Sequence, residues 1–303
     1  MSDEGHAHVG LRAVEVTDSI QAARVPVHLL YPTDTPGHEH RFGPYALTAA
    51  VDAPPSGEGR ALVVVSHGTG STPWALRGLA LHLARAGSVV ALVEHPGNSR
   101  SDDRLAHTAA NLANRPRHLR LAIDAALADA RVGSHLVRDA VAVLGHSLGA
   151  YTALALAGGR PFNFPPESPD GQSHPVAVTP DPRVRALVLL APATGWYVNE
   201  GSLAAVDVPI LMRTGEHDEI TRPEHAALVV RGVSDRAKVD HRVVPNAGHF
   251  SFLTPFPPPM ARPDFLPAHD PPGFDRASFQ RALGGEVAAF LRGALWASGG
   301  ASS

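Results

Sequence analysis

The 303-residue chain contains no cysteine, and Lys238 is the single lysine among its 26 basic residues. Without cysteine the chain can form no disulfide, no thiolate nucleophile and no cysteine-based zinc site. No apolar run approaches the roughly 18 residues that a membrane span needs. Because the net charge is −3 and the arginines are scattered, neither nucleic acid nor an anionic membrane is an expected partner.

Residues 1–8 are polar and lack the apolar core of a signal peptide. The sequence as given therefore predicts a soluble, cytoplasmic protein, or a secreted one if a leader has been removed. The chain has 18 histidines, and His6/His8 and His38/His40 are pairs two residues apart. Since no HExxH motif is present, histidine-rich polar loops are favoured over a catalytic metal. We expect no metal and no cofactor.

Short apolar segments typical of buried strands alternate with segments of helical periodicity. The predicted strands are 24–30, 61–66, 88–94, 140–144, 184–190, 208–212 and 237–244, and the predicted helices are 73–86, 116–131, 150–157 and 277–296. This alternation predicts an α/β fold with a mostly parallel central sheet and helices on both faces. We expect a single domain over 1–303, with irregular loops at about 34–60, 161–183 and 251–275.

Residues 141–149 read VAVLGHSLG, an apolar run that leads into Gly-x-Ser-x-Gly and then into a helical stretch. A strand, a sharp turn with a serine at its apex and a helix form a nucleophile elbow, in which Gly145 and Gly149 leave room for neighbouring backbone. The pentapeptide alone also fits an ordinary capped turn. The flanking strand and helix favour Ser147 as a nucleophile.

A serine nucleophile needs a base, and the base needs an acid that orients it. After such an elbow, the acid and the histidine follow the serine in that order. Asp218 and His249 come after the last two predicted strands, so we predict them as the acid and the base. Glu216 and Glu219 are the alternatives to Asp218, and a loop histidine bound only to backbone is the alternative for His249.

The oxyanion hole needs two N–H groups aimed at the developing charge. One should belong to Leu148, and the other to the loop 66–70, SHGTG, where Thr69 is favoured over Gly68. We expect a largely apolar pocket beside them, and its candidate lining residues are Gly68, Trp74, His146, Trp196, Tyr197, Phe250 and Phe252. Each aromatic one has the alternative role of anchoring a loop on the core. We also expect the loop 251–275, with Phe252 and Phe256, to pack beside the pocket and restrict the size of the ester. The alternative is an ordered strap across the core, remote from the substrate.

The sequence resembles the α/β-hydrolase superfamily, and within it the predicted dienelactone hydrolase-like serine esterases, relatives of the platelet-activating-factor acetylhydrolases. The matching segments span nearly the whole chain: LLYPT at 29–33, VVVSHGTGS at 63–71, LALHLARAGSVVALVEHPG at 79–97, ANRPRHLRLAIDAAL at 113–127, VLGHSLGAYTALALAGG at 143–159 and NAGHFSFL at 246–253. The resemblance implies the α/β-hydrolase fold and a serine esterase. Dienelactone hydrolase itself uses a cysteine nucleophile, which this chain lacks, so the resemblance argues against dienelactone as the substrate.

The predicted function is hydrolysis of a carboxylic ester, in a small molecule or a polymer, through an acyl-enzyme formed with Ser147, Asp218 and His249. A polyester hydrolase, thioesterase, amidase or peptidase with the same residues is the first alternative. A non-catalytic binding module on the same fold is the second.

Overall fold

Ten strands within residues 6–296 form one hydrogen-bonded sheet at the centre of the fold. These are the residues that the structure, a computed structural model, describes. Residues 1–5 of the polar N-terminal segment and residues 297–303 at the end of the expected domain lie outside the described residues. In chain order the strands are β1 (His8–Asp18), β2 (Ala23–Thr33), β3 (His38–Phe42), β4 (Tyr45–Val51), β5 (Arg60–Ser66), β6 (Val89–Val93), β7 (Leu136–His146), β8 (Val184–Leu190), β9 (Ile210–Gly215) and β10 (Val239–Val244).

The sheet is parallel in the half that carries the predicted catalytic residues. Its strand order is β10-β9-β8-β7-β5-β6-β2-β1-β4-β3. All neighbours from β10 to β6 are parallel, whereas β2 is antiparallel to both β6 and β1. The carboxyl ends of β5, β7, β8, β9 and β10 therefore meet at one edge, which is where ligands bind in such sheets.

Helices cover both faces of the sheet, as the sequence predicted. They are α1 (Arg77–Arg85), α2 (Ala109–Ala128), α3 (Leu148–Leu156), α4 (Pro223–Gly232) and α5 (Arg276–Trp296). Helices α2, α3 and α4 bury their apolar residues on one face, and α1 and α5 bury theirs on the other. The central strands are apolar on both sides because both faces are covered. Among residues 6–296, no helix is both long and apolar enough to cross a membrane.

The region predicted as a long loop at 34–60 instead contains the hairpin β3–β4, and β1 was not predicted at all. The predicted strand 24–30 also ends too early, because β2 continues through Tyr31 and Pro32 to Thr33 in register with β1. Pairing of β2 with β6 ends at Leu30. Beyond that point β2 is an edge on one side, so the missing N–H of Pro32 leaves no bond unmade there.

Helix α2 begins seven residues before the predicted start at Pro116. Thr108 caps it, since its Oγ1 accepts the N–H of Asn111 at 3.1 Å. Pro116 lies inside the helix and cannot donate to the Leu112 carbonyl. That carbonyl accepts the hydroxyl of Tyr151 at 3.1 Å instead. A side chain from α3 thus compensates for the proline, which is a tertiary contact that the local pattern does not contain. Helix α4 was also missed.

We expect Ile123→Ala to lower the free energy of unfolding by about 2–5 kcal/mol, because Ile123 on α2 is fully buried against the sheet and its truncation leaves a cavity. Ile20→Ala is the matched control, since Ile20 is 75% exposed and its loss should change stability by no more than about 0.5 kcal/mol. Urea unfolding measures both values. Equal losses for the two variants would contradict this placement of α2.

Candidate active site

Ser147 lies in a strained turn between β7 and α3. Its backbone angles are φ 54° and ψ −120°, a conformation that a residue with a side chain adopts only when the surroundings impose it. Ser147 donates its N–H to the Leu190 carbonyl at 3.0 Å, and its own carbonyl accepts the N–H of Ala193 at 3.1 Å. These partners lie at the end of β8 and in the segment just after it, which therefore hold the turn in place.

The two glycines of the elbow are required by close backbone contacts. A Cβ atom on Gly145 would collide with the backbone of Gly149, and a Cβ on Gly149 would collide with the carbonyl of Ser66. Glycine is the residue type that permits this approach. The end of β5 and the start of α3 consequently lie against each other beside Ser147.

Asp218 and His249 form a buried hydrogen-bonded pair. His249 Nδ1 lies 2.9 Å from Asp218 Oδ2, and the two side chains are only 5% and 1% exposed. Asp218 also accepts the backbone N–H groups of Ile220 at 2.9 Å and Thr221 at 2.7 Å. Because Nδ1 donates to the carboxylate, Nε2 of His249 is left as the proton acceptor. Burial raises the pKa of Asp218, but hydrogen bonds from His249 and Thr221 outweigh it, so the net pKa is lowered and Asp218 is a carboxylate at neutral pH.

Thr221 is a site residue that the sequence reasoning missed. Its hydroxyl donates to Asp218 Oδ2 at 2.6 Å and lies 3.2 Å from His249 Nδ1. The signal available in the sequence was its spacing three residues after the aspartate, typical of a turn in which the aspartate binds backbone. The two competing acids are exposed, and Glu216 accepts the N–H of Asn246 at 2.7 Å.

The loop after β5 lies directly against Ser147, the predicted nucleophile. A Cβ on Gly68 would be 3.2 Å from Ser147 Cβ, so this residue too must be small. Thr69 is exposed, and its hydroxyl accepts a hydrogen bond from Asn98 at 2.8 Å. Leu148 is the first residue of α3, and its N–H is therefore among the amides without a partner inside the helix. The predicted oxyanion residues thus flank Ser147.

Two cavities open on either side of Ser147, and both are lined by Thr69, Ser147 and Ile220. The first, which we call the loop cavity, has a volume of about 200 Å³ and is also lined by His249, Tyr45, Arg100, Phe250, Phe256 and Phe265. The second, the helix cavity, has a volume of about 260 Å³ and is also lined by Leu112, Leu148, Phe164, Glu167, Trp196 and His225. Ser147 is accessible from both.

Four of the seven predicted lining residues lie at these cavities. Gly68, His146 and Phe250 line the loop cavity, and Trp196 lines the helix cavity, where its Nε1 donates to Glu167 at 2.9 Å. The segment 251–275 contributes Leu253, Phe256, Phe265 and Pro267 to the loop cavity.

The other three predicted lining residues do not line either cavity, and each is an anchor instead. Trp74 stacks on Phe42 with ring centroids 3.8 Å apart. Tyr197 donates its hydroxyl to the Tyr151 carbonyl at 2.8 Å. Phe252 is fully buried in the core. Sequence position could not separate these from lining residues, because the direction of each side chain depends on what it packs against.

Three buried histidines, His67, His95 and His118, form a cluster at the base of the loop 66–70. This loop contains the predicted oxyanion donor, and we call it the oxyanion loop. His118 Nε2 donates to Gln21 Oε1 at 2.7 Å, and in a neutral ring its Nδ1 then accepts from His95 Nδ1 at 3.2 Å. His95 Nε2 must then accept the hydroxyl of Ser66 at 2.9 Å. This pattern is the one expected of neutral imidazoles, and burial lowers the pKa of His118 to about 3 and lowers that of His95 as well. Burial, with a smaller contribution from the charge of Arg115, lowers the pKa of His67 to about 3.

Comparison with known proteins places these features in a familiar architecture. Residues 57–165, which contain the oxyanion loop and the elbow, match the family model Hydrolase_4, described as serine aminopeptidase, S33. The ferulic acid esterase from Streptomyces cinnamoneus superposes with a TM-score of 0.69 at 19% identity, over 97% of this chain and 92% of that one. The chain has the α/β-hydrolase fold.

The two matches support a hydrolase of the α/β-hydrolase type. Neither of them confirms the narrower resemblance to dienelactone hydrolase-like esterases and platelet-activating-factor acetylhydrolases. No curated protein matches the sequence. Within residues 6–296, no group of three or more acidic or histidine side chains is arranged to hold a metal ion.

We expect the α/β-hydrolase domain to lose stability as the pH falls below about 6.5. Burial is the main factor that lowers the pKa of His67, His118 and His146 to about 3 each, and it lowers that of His95 as well. In the unfolded chain a histidine titrates near ~6.5. Between these pH values the unfolded state binds more protons than the folded state. Each histidine therefore lowers the free energy of unfolding by up to about 1.4 kcal/mol for each unit by which the pH falls.

Urea unfolding at pH 5, 6, 7 and 8 measures this dependence above the range in which carboxylates titrate. His118→Gln should make the slope between pH 5 and 6 shallower. The matched control is His38→Gln, because His38 is exposed, and its slope should equal that of the wild type. A free energy of unfolding that is the same at pH 5 and pH 7 would contradict the assignment of neutral buried histidines.

Proposed function

We propose that the protein is a serine hydrolase that cleaves carboxylic esters through an acyl-enzyme intermediate. The observation that carries this proposal is the buried Asp218–His249 hydrogen bond beside a serine held in a strained elbow. A non-glycine residue with a φ of 54° is strained, and this strain costs free energy. The cost has a purpose if the turn exposes a nucleophile. A non-catalytic binding module would have no need for the ordered acid–histidine pair.

In the proposed reaction, His249 Nε2 takes the proton of Ser147 Oγ as the oxygen attacks the ester carbonyl. Asp218 stabilises the imidazolium that forms and keeps the ring oriented. The amides of Leu148 and Thr69 bind the negative oxygen of the tetrahedral intermediate. When it collapses, His249 gives its proton to the departing alcohol. Water then attacks the acyl-enzyme by the same steps and releases the acid.

The position of His249 assigns a part of the ester to each cavity. His249 lines the loop cavity but not the helix cavity. Because the departing alcohol must receive its proton from His249, we place the alcohol in the loop cavity and the acyl group in the helix cavity. The helix cavity has two aromatic walls, Phe164 and Trp196, and a volume of about 260 Å³. An aromatic acyl group suits that space.

The structural likeness to a ferulic acid esterase makes esters of ferulic acid the first natural substrates to test. The description of the matched family as serine aminopeptidase supports a second candidate function, cleavage of an amide or peptide bond. The same catalytic groups serve both reactions. Turnover of a matched ester and anilide with one acyl group distinguishes them. We expect the ester to be cleaved and the anilide to show no turnover, whereas turnover of the anilide would support the second candidate function.

We expect Ser147→Ala and Asp218→Asn each to lower kcat by about 10⁴-fold or more, since the catalytic residues act as one unit. Neither change should unfold the protein. The matched controls are Glu216→Gln and Glu219→Gln, which alter the two exposed neighbouring acids and should leave kcat within about twofold. Hydrolysis of p-nitrophenyl acetate and labelling with a fluorophosphonate measure these effects. A folded Ser147→Ala variant that keeps most of its activity would disprove the proposed nucleophile.

Truncation of one aromatic wall residue in each cavity should change the selectivity for a different part of the ester. Phe256→Ala enlarges the loop cavity, so it should raise the relative kcat/KM for esters with larger alcohols. Trp196→Ala enlarges the helix cavity, so it should favour larger acyl groups. Phe252→Ala is the control, because Phe252 lies in the core and should affect stability but not selectivity. Two ester series, one varied in the alcohol and one in the acyl group, measure this; the reverse pattern would exchange the two assignments.

A further inference from the structure

Arg115 is a fully buried arginine on α2. Within residues 6–296, none of its hydrogen-bond partners is a carboxylate. An unpaired buried charge is costly unless hydrogen bonds compensate it. The hydrogen-bond partners of this guanidinium therefore indicate why the charge is kept in the interior.

On one side, the guanidinium binds the loop that carries the predicted oxyanion donor. Nη2 donates to the carbonyl of His67 and, at 3.2 Å, to the hydroxyl of Ser66. The carbonyl of His67 belongs to the same peptide unit as the N–H of Gly68. Nη1 donates to Asn98 Oδ1 at 2.6 Å, and the amide of Asn98 in turn donates to the hydroxyl of Thr69. Hydrogen bonds thus connect Arg115 to both residues after His67, Gly68 through the shared peptide unit and Thr69 through Asn98.

On the other side, the guanidinium binds the helix that follows the nucleophile. Nε donates to Thr152 Oγ1 at 3.0 Å, and that hydroxyl donates to the carbonyl of Leu148 at 3.0 Å. Leu148 is the residue predicted to supply the second oxyanion amide. All three nitrogens of Arg115 are therefore used, and their partners lead to both halves of the predicted oxyanion hole.

We propose that Arg115 is a positioning residue that fixes the separation of the Thr69 and Leu148 amides in the oxyanion hole. This inference rests on the proposed esterase function. The planar guanidinium is rigid, and its N–H groups point in fixed directions. It connects the end of β5 to the first turn of α3, which are joined covalently only through 81 intervening residues (67–147). A shift of either segment would move one amide relative to the other.

The expected kinetic effect is on kcat, because the oxyanion forms only after attack and is absent in the bound ester. Displacement of one donor by about 1 Å is enough to cost on the order of 100-fold. Arg115→Gln should therefore lower kcat by about 10- to 100-fold and change KM by less than about threefold. Arg115→Lys keeps the charge but has one donor nitrogen in place of three, and should restore part of kcat.

The experiment measures kcat and KM for p-nitrophenyl acetate, with kcat divided by the number of active sites that a fluorophosphonate titrates to completion. This division removes any loss that is caused by unfolded protein. The matched control is Arg213→Gln. Arg213 is equally buried, but its partners are Asp240 and Glu286, remote from the oxyanion loop. The variant Arg213→Gln should lower the melting temperature and leave kcat per titrated site unchanged.

A kcat per titrated site within twofold of wild type in Arg115→Gln would overturn the inference, and so would an equal fall in Arg213→Gln. If Arg115→Gln does not fold, Thr152→Val removes the contact between Arg115 and α3 at nearly constant volume. It should lower kcat per site by about 3- to 10-fold, and an unchanged kcat would overturn the inference. Labelling and turnover of the wild-type protein test the proposed function separately, since the inference depends only on the ratio of variant to wild type.

Discussion

The catalytic edge depends on the close approach of three backbone segments: the end of β5 with its loop, the elbow after β7, and the end of β8. Ser66 and Gly149 approach so closely that a Cβ on the glycine would collide with the serine carbonyl. The elbow is in turn hydrogen-bonded to Leu190 and Ala193. Because none of these contacts involves a long side chain, the geometry around Ser147 has little freedom to relax. That rigidity suits a site which must hold donors in place for a charge that appears only during reaction.

Buried polar groups complete this arrangement at a cost in stability. Arg115 and the histidine cluster are almost fully buried at the base of the oxyanion loop. Burial lowers the pKa of these histidines and keeps them neutral, and the hydrogen bonds of His95 and His118 then fit one set of tautomers. At low pH the histidines bind protons more readily in the unfolded chain than in the folded protein. The same network that orders the loop therefore makes the protein less stable in acid. Stability and the geometry of the site are therefore linked through the same side chains.

The cavities, by contrast, are shaped by loops that the regular fold does not constrain. The segment 251–275 provides one wall of the loop cavity, and residues near Phe164 and Trp196 provide a wall of the helix cavity. These segments have no helical or strand periodicity. The sheet and elbow thus position the reacting atoms, whereas the loops determine the space for the two parts of a substrate.

The sequence by itself determined the parallel core, the elbow and the order of the acid and the histidine, because continuous apolar strands and glycine spacing are local patterns. The predicted strand 184–190 coincides with β8, and the predicted Asp218 and His249 are hydrogen-bonded. Only the tertiary structure decided which way each side chain points. Phe252 enters the core while Phe256 lines a cavity, and a tyrosine on α3 allows Pro116 to lie inside α2. Such outcomes depend on contacts between residues far apart in the chain, which no local pattern encodes.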